Sequence, residues 1–315
     1  MVTDRDVREA AEGLRGVALR TPLLRVEALG AGTYLKLENQ QPIGAFKIRG
    51  AYNAVRKLPD AARRRGVITY SSGNHGQAVA YAARRFGVRA VIVMPETAPA
   101  VKIDGVRRWG GEVVIAGRTS EDRQRRAEEL AASDGLAVVP PFDHPDIVAG
   151  QATVGLEIAE QLPDVGTVVV PVGGGGLISG VVQGLATGGS GATVWGVEPT
   201  GAPKLQRSLA AGAPVRLERT ASIADGLITL TVGRVPFEVL QRHRARVGGV
   251  VLVDDACLRA AVQFLHRTCG LAVEPSGAAP TAALQSGALP PADDHGRPTV
   301  LVVSGGNVDP ALLET

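Results

Sequence analysis

The chain has 315 residues, 45% of them hydrophobic, with 34 basic and 31 acidic side chains, so its formal net charge at neutral pH is +3. That length can bury more than one core, and the near balance of charge argues against a nucleic-acid binder held by a basic surface. No apolar stretch approaches the ~20 residues of a membrane span, the first residues lack a secretion signal, and Cys257 and Cys269 lack metal-site spacing; a cytoplasmic protein with buried thiols is expected.

Along the chain, Val7, Ala10, Ala11 and Leu14 recur at helical spacing behind Thr3, a good N-cap, which predicts an opening amphipathic helix. A strand is expected at 34–37. Ile48, Ala51, Tyr52 and Val55 then form a helical stripe that starts beside Lys47. From Gly66, short apolar strands at 67–70, 90–94, 112–115 and 136–139 alternate with helical stretches, the pattern of a parallel sheet covered by helices. Pro140, Pro141 and Pro145 make the next segment hostile to helix and strand alike, and it reads as a crossing between domains. A second series of strands follows at 167–172, 193–197, 250–253 and 299–303. The fold class is α/β, with two open, mainly parallel α/β sheet domains and no room expected for a further regulatory domain.

The chemistry-bearing segments sit where these strands end. Gly173, Gly174, Gly175 and Gly176 follow the apolar run 167–172 and precede a helix. Glycine backbone can approach a ligand closely, so successive N–H groups there suit a phosphate. Lysine is scarce: Lys36, Lys47, Lys57, Lys102 and Lys204 are the whole set, and the other 29 basic residues are arginines. At a helix start beside Phe46 and Ile48, Lys47 is disfavoured as a cation, which lowers its pKa and frees a nucleophilic amine. The segment 71–77 (Ser-Ser-Gly-Asn-His-Gly-Gln) follows a strand and opens a helix; its hydroxyls, amide and N–H groups suit a carboxylate or a phenolic oxygen. Residues 304–307 (Ser-Gly-Gly-Asn) again follow a strand.

Open α/β sheets bind ligands at the carboxyl ends of their strands, so these segments can meet in one cleft. A phosphate cradle, an activated lysine and carboxylate-sized donors together describe a pyridoxal phosphate site. A nicotinamide-binding oxidoreductase would also use a glycine-rich turn, with Glu198 about where a ribose-binding acid belongs, but no register of 173–180 satisfies G-x-G-x-x-G and Lys47 would be left without a role. A GxxxxGK[ST] loop is absent from the sequence. A non-catalytic carrier of the cofactor is the binding-protein alternative.

The chain resembles the serine/threonine dehydratase and serine racemase family, pyridoxal phosphate enzymes of the tryptophan synthase β fold type. The matches lie in family order at 44–51 (Gly-Ala-Phe-Lys-Ile-Arg-Gly-Ala), 71–77, 147–151 (Ile-Val-Ala-Gly-Gln), 173–177 (Gly-Gly-Gly-Gly-Leu), 222–226 (Ser-Ile-Ala-Asp-Gly) and 304–307. The resemblance implies a large cofactor-binding domain at 1–56 and 145–315, a small domain at 57–144 that closes over the substrate, and a homodimer. It implies that Lys47 forms the Schiff base with pyridoxal 5'-phosphate and moves the α-proton, that Phe46 packs on the ring and Asn74 holds its phenolic oxygen. Gly173 to Gly176 would cradle the phosphate and Ser304 would meet the pyridine nitrogen. Ser71, Ser72, Asn74 and His75, with Arg123 across the cleft, would bind the substrate. A hydroxyamino acid, serine or threonine, would then lose its β-hydroxyl and yield a 2-oxo acid and ammonia.

Ser72 stands where racemases of the family place a second hydroxyl, so racemisation is an accompanying expectation. A 3-hydroxyaspartate or aryl-serine substrate, or β-replacement through the same chemistry, stays open. Glu198 and the Ala202 carbonyl match the family's divalent-cation loop, but Lys204 stands at its remaining carboxylate position. An ammonium cannot ligate a cation, so Lys204 is expected to pair with Glu198 or to leave the site without metal.

Overall fold

The computed structural model describes residues 1–71, 73–98, 100–290 and 296–314. The opening helix, Asp4–Gly13, begins with a capping box: the Asp6 N–H donates to Thr3 Oγ1 at 3.3 Å and the Thr3 N–H to Asp6 Oδ2 at 3.0 Å. In chain order the strands are β1 (Leu23–Arg25), β2 (Thr33–Leu37), β3 (Val67–Tyr70), β4 (Ala90–Met94), β5 (Glu112–Ile115), β6 (Ala137–Val138), β7 (Thr167–Pro171), β8 (Thr193–Pro199), β9 (Val247–Val253) and β10 (Thr299–Val303). They form a six-stranded sheet ordered β1-β2-β10-β7-β8-β9 and a four-stranded sheet ordered β5-β4-β3-β6. Every pairing is parallel except β1 with β2.

The inner strands β7 and β10 of the larger sheet are buried on both faces because they are almost wholly apolar. Val168 and Val170 point into one core with Ile178 and Val181, while Val169 between them points into the other with Ala278 and Ala282. Val300 and Val302 divide from Leu301 and Val303 in the same way. Each such fully buried side chain stabilises the fold by about 1.5–3 kcal/mol. The smaller sheet repeats the arrangement, with Ile92 in one core and Val91 and Val93 in another.

Some elements differ from the sequence expectation, and β1 is an addition. It is three residues long and half-exposed at a sheet edge, so no apolar run announces it. β9 starts earlier than expected, at Val247, because Gly248 and Gly249 are packed beneath the Trp195 ring: a Cβ on Gly248 would fall 2.5 Å from Trp195 Nε1. Cys257 and Cys269, expected to be buried, are partly exposed near the two ends of helix Asp255–Cys269.

Helix Lys47–Lys57 crosses helix Pro145–Gln161 at a glycine pair, where a Cβ on Gly150 would lie 2.6 Å from Gly50 Cα. Beside that crossing is a charge cluster. The Arg49 guanidinium, 1% exposed, donates from Nε and Nη2 to Glu38 at 2.8 and 2.7 Å and from Nη1 to Glu157 at 2.6 Å. Lys36 Nζ, also buried, donates to Glu157 at 2.5 Å, Thr21 O at 2.8 Å and Gln161 at 2.9 Å. Two cations face two carboxylates, so the buried charge is balanced. Replacing one member leaves an unpaired buried charge, which costs about 3–5 kcal/mol. Arg49→Met is therefore expected to lower the melting temperature markedly in a thermal scan; a melt unchanged from the parent protein would contradict the cluster's role.

Candidate active site

The lysine turn is built against the end of β10. The Phe46 N–H donates to Ser304 O at 3.0 Å, and Ala45 bridges to Gly305. Ser304, which follows β10, is 4% exposed. Lys47 opens its helix as expected and is half-buried; its Nζ donates to Pro141 O at 2.8 Å and lies 5.3 Å from the Phe46 ring centroid. Burial pushes the Lys47 amine down to about 8, against the pull of Glu274. An amine tuned in this way is a usable nucleophile and base near neutral pH.

Asn74, the first residue of helix Asn74–Phe86 beyond β3, joins the same cluster. Its Nδ2 donates to Glu274 Oε1 at 2.7 Å, and its Oδ1 accepts from Asn307 Nδ2 at 2.7 Å. Asn307 Nδ2 also donates to Ile43 O at 3.0 Å, which ties the β3 end to the lysine turn. Ser71 is half-buried just before this helix, and its Oγ accepts from the Gly73 N–H at 3.3 Å. Ser72 lies outside the described residues. His75 is 2% exposed, with Nε2 at 3.1 Å from Val139 O, and its pKa is pushed down to about 3, first by burial and then by the Lys47 charge. The ring is thus held neutral and packed. Arg123 sits half-buried on helix Ser120–Asp134, over the smaller sheet.

The glycine run starts helix Gly176–Thr187, with Gly175 at φ +88°. Two of its other glycines are close approaches: a Cβ on Gly173 would lie 2.5 Å from Gly226 O, and one on Gly174 would lie 2.3 Å from Phe142 ring carbons. Among the described residues, no carbonyl or side chain accepts from the N–H groups of Gly173, Gly174, Gly175 or Gly176. These are unspent donors at a helix N-terminus, which is what a phosphate requires. The loop and the lysine are linked through one segment, since Pro141 meets Lys47 and Phe142 packs on the glycines. A half-buried amine of lowered pKa, free loop N–H groups, an amide and a serine hydroxyl form a donor set that fits pyridoxal phosphate.

Residues not foreseen from sequence are Glu274, Asn307, Pro141 and Phe142. Glu274 is 7% exposed, and its carboxyl is pushed up to about 8, by burial and then by nearby Asp225. A glutamate ahead of a proline is an unremarkable pattern, so its burial carried no sequence signal. Asn307 closes the Ser-Gly-Gly-Asn motif, and nothing in that motif indicates the partners it meets.

The cation loop does assemble, around nitrogen instead of metal. Glu198, Ala202 and Lys204 converge, with Lys204 Nζ at 2.9 Å from Glu198 Oε1 and 3.2 Å from Ala202 O. An ammonium supplies no lone pair, so these residues do not fit a divalent ion. Among the described residues, no group of three or more His, Cys, Asp or Glu side chains could hold one.

Residues 14–305 match the family described as pyridoxal-phosphate dependent enzymes, and the chain belongs to that family. It is 39% identical over 318 residues to the L-threonine ammonia-lyase of Thermotoga maritima, covering 100% of this chain and 78% of that one. To the L-threo-3-hydroxyaspartate ammonia-lyase of Saccharomyces cerevisiae it is 39% identical, over 96% of this chain and 93% of the other. The solved structure of maize serine racemase superposes with a TM-score of 0.91 at 35% identity, covering 99% of this chain and 96% of the racemase. The two-sheet α/β architecture is that of this fold type.

The amine's lowered pKa has a direct consequence for loading. Recombination of the cofactor-free protein with pyridoxal phosphate, followed by stopped-flow absorbance, is expected to speed up about tenfold for each unit by which the pH rises towards neutrality and to level off above about pH 8. A rate still climbing towards pH 10 would mean that Lys47 keeps the acidity of a solvated lysine.

Proposed function

We propose that this chain is a pyridoxal phosphate-dependent ammonia-lyase that dehydrates a β-hydroxy-α-amino acid, L-serine or L-threonine, to the 2-oxo acid and ammonia, with racemisation as a side activity. One observation carries the reading: the turn that bears the low-pKa Lys47 amine is bonded, from the Phe46 N–H to the Ser304 carbonyl, to the end of β10, where Ser304 carries a neutral hydroxyl. The names of the similar proteins support it. When bound, the cofactor supplies an electron sink for the substrate's α-carbon.

The N–H groups of Gly173 to Gly176 would hold the phosphate, Phe46 would pack on the ring and Asn74 would hold the phenolic oxygen. Ser304 would meet the pyridine nitrogen, and an uncharged partner there would favour elimination over transamination. Ser71 and the backbone N–H groups at the start of helix Asn74–Phe86 hold the substrate carboxylate, with Arg123 in a supporting place. His75 contributes through its main chain, because its ring is committed to Val139 O. Lys47 Nζ removes the α-proton and can return it. The departing hydroxyl leaves as water, and one water is consumed when ammonia is released, so the atoms balance. Ser72 supplies the hydroxyl for proton return on the opposite face.

Residues 57–144 close over the substrate as a small domain. Support comes from two ion pairs, Lys102 with Asp225 and Arg216 with Glu121, that join this part of the chain to the 216–225 segment at partly exposed positions, where such contacts are weak and can open. A cytoplasmic homodimer completes the proposal.

A panel of L-serine, L-threonine and 3-hydroxyaspartate, assayed for 2-oxo acid and for the enantiomer remaining, tests the reading. L-serine or L-threonine is expected to give product, and Lys47→Ala to lower the rate about 10²–10⁴-fold. Absence of 2-oxo acid from every substrate would favour the non-catalytic carrier. Ser72→Ala is expected to remove racemisation while elimination persists; racemisation at the parent rate would exclude Ser72 from proton transfer.

A further inference from the structure

Lys204 is 0% exposed, as is Glu198. Its Nζ donates to Glu198 Oε1 at 2.9 Å and to the carbonyls of Val172, Ala202 and Leu227 at 2.9, 3.2 and 2.8 Å. A neutral amine has two hydrogens to give and an ammonium three, so four acceptors around one nitrogen suit the ammonium form, with one hydrogen shared between two oxygens. Glu198 is fixed from its other side by the N–H groups of Leu205 and Gln206 at 2.8 and 3.0 Å. The carbonyls come from separate stretches of chain. Val172 immediately precedes the glycine run, and Leu227 follows Gly226, whose carbonyl abuts Gly173.

We infer that Lys204 is a resident, covalently tethered cation that takes the place of a bound metal ion and holds the glycine loop in the form that grips the cofactor phosphate. The inference rests on the reading of Gly173 to Gly176 as the phosphate cradle. The oxygens lie 2.8–3.2 Å from the nitrogen, beyond the ~2.0–2.6 Å of magnesium or calcium coordination. The hole beneath the side chain is therefore shaped for an ammonium-sized monovalent cation. The parent protein needs no free ion to build its loop, whereas a variant without the side chain acquires that need.

The test uses the full-length parent, Lys204→Ala and Lys204→Met. Cofactor dissociation constants come from absorbance titration and stabilities from melting with and without cofactor. Ammonium, potassium, tetramethylammonium and magnesium chlorides are compared at one ionic strength. Parent affinity is expected to be the same in all four salts and after chelation. Lys204→Ala is expected to bind the cofactor on the order of 10-fold more weakly and to recover saturably with ammonium or potassium but not with tetramethylammonium. Lys204→Met, which fills the space without charge, stays weak throughout. Parent-like affinity in Lys204→Met overturns the inference, as does a parent protein that loses cofactor to chelator and regains it with magnesium. If neither variant folds, the parent titration decides alone: indifference to all four salts supports the tethered cation, and a saturable gain overturns it. No substrate is used, so failure here is separate from failure of the ammonia-lyase reading. Gly175→Val, which strains the +88° residue of the loop and leaves the Lys204 side chain in place, tests the cradle itself. Intact cofactor affinity in that variant would locate the error in the cradle.

Discussion

The interior near the lysine turn carries charge, and that charge has to be neutralised within the protein. Arg49 stands two residues beyond Lys47 in the same helix, held by both Glu38 and Glu157, with Lys36 completing the set. Such a cluster contributes little net stability compared with an apolar packing of similar volume, but it is unforgiving of displacement. Its value here is positional. A helix that cannot slide or rotate without separating buried charges presents its first residue at a fixed place, and that residue is the amine of the site.

The same logic of ordered backbone extends outward. β10 lies between β2 and β7 in the larger sheet, so the turns after β10 and β7 are neighbours, and these carry Ser304 and the glycine run. The lysine turn is bonded to one and reaches the other through Pro141 and Phe142. The end of β3 reaches the assembly through Asn74 and Asn307. Neither sheet alone contains the donor set.

Much of this was legible in the sequence because apolar strands buried on both faces leave uninterrupted runs, as at 67–70 and 299–303, and because Lys47 and the glycines stand beside them. β1 was not, since its pairing depends on its neighbour β2 and on no pattern of its own. Trp195 hid the start of β9, because two glycines that look like a break are there to admit a ring. Glu274 could not be found, since its burial follows from three segments meeting and glutamate ordinarily marks a surface. Lys204 was visible as an exception in its loop, but the three carbonyls around it belong to backbone, which carries no residue code.

The scarcity of lysine acquires a chemical meaning once the five are placed. Lys36 and Lys204 are sealed against carboxylates, and Lys57 and Lys102 are each paired with an aspartate. All four have their nitrogens engaged by carboxylates, and the exposed surface is served by arginine, which forms no imine. An aldehyde entering this protein meets, among its lysines, one amine ready to condense. Chemoselectivity is thus written into the whole composition, through the removal of competitors as much as through the activation of Lys47.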